Sequence, residues 1–105
     1  MATSYGYAWE KFYVAVGALA SATGTIQERL LGAYVNALMR LDVLHIELPR
    51  ELAERFKAVS TALTQALDQG EGAVAAITDE DASKIASEIV SLYDSICRLY
   101  YADSN

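Results

Sequence analysis

Apolar residues recur every three to four positions along almost the whole of this chain, and nowhere do they alternate long enough to make a strand. A helix has that period when it buries one face, so the pattern points to an all-α fold. Four segments carry it. In the first, about residues 5–22, Trp9, Phe12, Val16 and Leu19 share a face. In the second, about 26–46, Ile26, Leu30, Ala33, Ala37, Leu41 and Leu44 make one stripe, and Leu31, Tyr34, Val35 and Leu38 make another beside it. The third, about 49–69, is striped by Leu52, Phe56, Val59, Leu63 and Leu67. The fourth, about 79–102, is striped by Ile85, Ile89, Leu92, Ile96 and Leu99.

The joints between segments carry helix start and stop signals. Gly24 can take the left-handed conformation that ends a helix. Thr25-Ile26-Gln27-Glu28 reads as a capping box, in which hydroxyl and carboxylate each satisfy a free backbone N–H. Pro49 suits the first position of the third helix, where a missing N–H costs nothing. Gly70-Glu71-Gly72 is the most flexible point, and apolar Ala73 to Ile77 packs down as a loop or single turn. Thr78 caps the fourth helix, and Asp79, Glu80 and Asp81 suit the positive end of its dipole. Short connections of this kind predict an antiparallel, up-down four-helix bundle, with residues 1–105 forming a single helical domain.

The 105 residues bury roughly 60–68% of the unfolded surface, enough for one core without staples. A lone cysteine, Cys97, excludes a disulfide within the chain and reads as a small buried hydrophobe. One His and one Cys fall short of the roughly four nitrogen or sulfur ligands of an ordinary zinc site. The net charge is −6, and residues 71–105 alone hold seven acids against Lys84 and Arg98. That balance disfavours a nucleic-acid partner. No segment approaches the ~20 apolar residues of a membrane span. The N-terminal residues lack a basic stretch, so the expectation is no signal peptide and a cytoplasmic location. No cofactor motif is present: Gly70-Glu71-Gly72 has neither the strand nor the Lys of a phosphate loop.

Candidate chemistry is sparse. Successive helical residues point about 100° apart, so Asp79, Glu80 and Asp81 cannot converge on one metal ion. Glu51-Leu52-Ala53-Glu54, with Glu47 before it, matches half of the paired acid motif of metal-dependent helical nucleotide hydrolases. The facing half is missing, since Glu88-Ile89-Val90-Ser91 ends in Ser. Arg40-Leu41-Asp42-Val43-Leu44-His45 has an R-x4-H spacing that resembles the motif of HEPN ribonucleases, small all-helical dimers. The resemblance implies that Arg40 and His45 of two chains would meet at a dimer cleft and cleave an RNA phosphodiester without metal. A neutral-pH imidazole suits that acid–base work. Leu41 departs from the pattern, which usually has a polar residue after the Arg, and the motif lies early in this chain. A phosphotransfer histidine needs Lys and Gly after it, whereas Ile46-Glu47 follow His45.

Two features point instead to protein contact. Hydrophobic residues make up 53% of the chain, above the usual ~45–50%. Helix two is apolar around most of its girth, and a helix of that kind is either central or shared with a second chain. Its second stripe, Leu31, Tyr34, Val35 and Leu38, is the expected seam of a homodimer. Seven of the ten aromatic residues are Tyr. In an antiparallel bundle the two chain ends meet at one pole, so Tyr5, Tyr7, Trp9, Tyr100 and Tyr101 should cluster there as a binding surface, with Tyr13 and Tyr93 two turns inward. The reading is a small, cytoplasmic, non-catalytic adaptor or regulator that acts by protein–protein contact as a homodimer, with an unidentified protein partner. An acidic decoy for a basic groove, built on the fourth-helix charges, is a further class.

Overall fold

The computed structural model describes residues 5–43 and 48–104, and these are all helical or in short connections. Helix α1 spans Gly6–Ser21. Helix α2 (Ile26–Ala33) runs directly into a π-helical turn, Tyr34–Leu38, and then into α3 (Met39–Val43). Helix α4 spans Arg50–Asp68, α5 is the short Glu71–Ala75, and α6 is the longest, Asp79–Ser104.

Local chemistry accounts for most of these limits. Gly24 sits at φ +104°, which a side chain would resist. The capping box then forms as the motif requires. Thr25 Oγ1 accepts from the Glu28 N–H at 3.1 Å, and the Glu28 carboxylate accepts from the Thr25 N–H at 3.4 Å. Gly70 also takes φ +104° between α4 and α5. The stretch Ala73 to Ile77, expected as a loop or single turn, overlaps one helical turn, Glu71–Ala75, that buries Val74. Thr78 Oγ1 accepts from the Asp81 N–H at 3.1 Å, capping α6. Pro49 stands one place earlier than expected: it is the cap residue, and α4 begins at Arg50. The predicted stretch 44–46 of helix two lies outside the described residues.

The core is built where the four long stripes meet. Helix α6 is its hub, packing against α1, α2 and α4, while α1 also packs on α2 and on the π turn. Phe12, Leu30, Leu63, Ile89, Leu92 and Ile96 are fully enclosed. The rings of Phe12 and Phe56 meet edge to face at 5.7 Å.

Polar groups lock this core at three places. The hydroxyls of Tyr34 and Ser60 lie 3.2 Å apart inside it. Arg29 donates to the Leu19 carbonyl at 2.7 Å, tying the start of α2 to the end of α1. Buried Gln27 donates to the Ile77 carbonyl at 2.7 Å and to Asp79 Oδ1 at 2.8 Å, joining α2 to the start of α6. Each bond satisfies groups that burial would otherwise leave unpaired.

The structure corrects the expected seam on helix two. Tyr34 is 1% exposed and Leu38 is 0% exposed, so both belong to the chain's own core. The π turn carries Tyr34, Ala37 and Leu38 all to the inside. Of the four residues, only half-buried Leu31 and exposed Val35 keep surface to offer a partner.

Candidate interaction surface

Where the start of α1 lies beside the end of α6, aromatic rings form a continuous track. Trp9 stacks on Tyr100 with centroids 4.9 Å apart and planes 12° from parallel. Trp9 also stacks on Tyr13 at 5.6 Å, one helical turn along. Tyr13 reaches across to Tyr93 at 6.4 Å, and Tyr100 meets Tyr101 edge to face at 5.3 Å. Five rings from two helices are thus in serial contact. Two of them, Tyr13 and Tyr101, are each 58% exposed.

Helical spacing explains the track. Trp9 and Tyr13 are four residues apart, as are Tyr93, Cys97 and Tyr101 in turn, so each set rises along one side of its helix. Ala86 and Val90 continue the α6 side toward its N-terminus, and Gly17 and Ala20 continue the α1 side.

Three of the five residues expected at the pole, Trp9, Tyr100 and Tyr101, are joined in this way. Tyr7 turns elsewhere: the Lys11 ammonium sits 5.2 Å from its ring centroid, a cation–π contact. Tyr5 is half-buried just before α1, and its carbonyl accepts the Trp9 backbone N–H at 2.8 Å. The surface therefore runs inward along the α1–α6 seam, through Tyr13 and Tyr93, rather than spreading over the end of the molecule.

Two chemical features mark the track. The Trp9 indole N–H is shut away from solvent and has no acceptor among the described residues, an arrangement that costs about 1–3 kcal/mol. The Tyr93 phenol is pushed up to about 12, first by its partial burial and then by its hydrogen bond with Cys97. Cys97 is half-buried on the same strip, not enclosed in the core as its sequence setting suggested.

The other candidate groups are engaged in helix-surface chemistry. Asp79 accepts from Gln27, and Glu80 pairs with Lys84 at 3.5 Å. Glu54 pairs with Arg50 at 3.2 Å. Arg55, one turn from Glu51, crosses instead to Glu88 and Ser91 on α6. Among the described residues no three His, Cys, Asp or Glu side chains gather closely enough to hold a metal ion. None of the described helices is long and apolar enough to cross a membrane. Arg40 is exposed on α3. His45 lies outside the described residues, so the Arg40–His45 pair has no geometry to report. The chain matches no protein-family model, no curated protein and no solved structure.

Proposed function

We propose that this chain is a non-catalytic helical-bundle protein that works by protein–protein contact and assembles as a homodimer in the cytoplasm. The observation that carries the reading is the aromatic track with two rings more than half exposed. A small domain that leaves Tyr and aliphatic side chains side by side in water gains by covering them, at roughly 25 cal/mol per Å². Tyr and Trp supply that area at low conformational cost, which is why recognition surfaces favour them.

The reading takes the fold as an antiparallel, up-down four-helix bundle formed by α1, the α2–π–α3 helix, α4 and α6. Three contacts support that topology. The start of α1 meets the end of α6 through Trp9 and Tyr100. The start of α2 meets the end of α1 through Arg29 and Leu19. The middles of the second and third long helices meet through Tyr34 and Ser60.

Light scattering across a concentration series tests the assembly. The expected mass at high concentration is twice the 11.4 kDa of the chain. A mass that stays at the single-chain value throughout contradicts the homodimer.

A further inference from the structure

We infer that the outer face of the α1–α6 pair is the surface on which a second copy of this chain docks, an inference that rests on the homodimer proposed above. The face is defined by Trp9, Tyr13, Val90, Tyr93, Cys97 and Tyr101, and Gly17, Ala20 and Ala86 keep it low where another helix would cross. No charged residue interrupts this strip.

Charge selects the occupant. The chain carries −6, so most of its surface repels its own copy. This face does not. Its flanking charges are matched within the chain: Glu10 lies 3.9 Å from Lys11 on α1, and Asp94 lies 3.2 Å from Arg98 on α6. The acids in excess lie elsewhere, including Asp79 and Asp81 at the far end of α6. In an isologous contact the same patch faces itself, so a neutral patch with both signs at its rim meets its own copy without like-charge cost.

The area sets the strength. From Ala86 to Tyr101 the strip is about 22 Å long. Two helices, each about 10 Å across, give at most roughly 450 Å² per copy, about 900 Å² in all, which is below the ~1,200 Å² of standard interfaces and in the range of weak, transient ones. The dimer is accordingly weak and concentration-dependent.

Two lysine substitutions at comparably exposed valines decide the matter. Val90 is 48% exposed on the α6 strip, and Val35 is 44% exposed on the π turn. Dissociation constants of the wild type, Val90→Lys and Val35→Lys are measured by sedimentation equilibrium, with helical content checked by circular dichroism. The expected result is at least a tenfold weaker dimer for Val90→Lys, because two lysines are brought together in an apolar seam, and an unchanged dimer for Val35→Lys. Tyr101→Lys is the replacement variant if Val90→Lys loses its helical signal. A dimer weakened by Val35→Lys alone, or by neither, overturns the α1–α6 seam and leaves the homodimer standing. A wild-type chain that is monomeric at every concentration overturns both.

Discussion

The indole of Trp9 lies flat on the ring of Tyr100, 4.9 Å between centroids, and so fastens the first turns of α1 to the last turns of α6. Offset stacking of this kind contributes about 0.5–1.5 kcal/mol beyond the area it buries. Removing the ring with Tyr100→Ala should lower stability by at least that much. Trp9 is the only tryptophan, so its emission reports the stack directly. Emission should shift to longer wavelength in Tyr100→Ala as water reaches the indole.

The burial of Leu38 predicts a sharp contrast with its neighbour Val35. Leu38→Ala should cost about 2–5 kcal/mol, because the π turn and α4 cannot fully collapse on the void. Val35→Ala, on the exposed side, should stay within about 0.5 kcal/mol. Urea unfolding with unchanged slopes measures both. Leu38→Glu would bury an unpaired carboxylate and unfold the chain, so it cannot serve as a probe of assembly.

The joint between α1 and α2 predicts a coupled pair of losses. Thr25→Ala removes a cap and should cost about 0.5–2 kcal/mol. Gly24→Ala should cost about 1–2 kcal/mol, since the added methyl must take a left-handed backbone. That methyl would also stand 3.0 Å from the Glu28 carboxylate that completes the capping box. Because both changes disturb Glu28, the double variant should lose less than the sum of the two.

Tyr93 predicts how stability falls in alkali. Its folded pKa is raised to about 12 from an ordinary 10.0, so the native state holds its proton more tightly than the unfolded chain does. The resulting stability is fully present below pH 10 and is lost as pH rises from 10 through 12. Phenolate absorbance should lose a late-titrating component in Tyr93→Phe, and the same variant should flatten the fall in stability over that window.

Much of the helical framework is legible in the residues themselves. Gly24, the Thr25–Glu28 box, Gly70 and Thr78 are local signals, and each produces its structure through contacts within four residues. Contacts that depend on distant partners are not legible. The buried Gln27 amide finds Ile77 and Asp79 some fifty residues later, which no spacing announces. Arg55 has an acid one turn away at Glu51 and takes Glu88 across the interface instead, because α6 passes within reach.

The candidate surface shows the same division. Stacking of the chain ends follows from antiparallel helices, and Trp9, Tyr100 and Tyr101 could be named from it. The assignment of Tyr34 and Leu38 to a seam failed because two apolar stripes on one helix look alike until a π turn directs one of them inward. The four-residue spacings of Trp9 with Tyr13, and of Tyr93 with Cys97 and Tyr101, were the available signal for the surface on α1 and α6.

Self-association is the central claim, and its most direct test is the melting temperature measured over a hundredfold range of protein concentration. A chain stabilised by its own copy unfolds at a higher Tm as concentration rises, because dissociation accompanies unfolding. The account predicts a Tm that climbs steadily with concentration in the wild type. A Tm that stays constant across the range would contradict it.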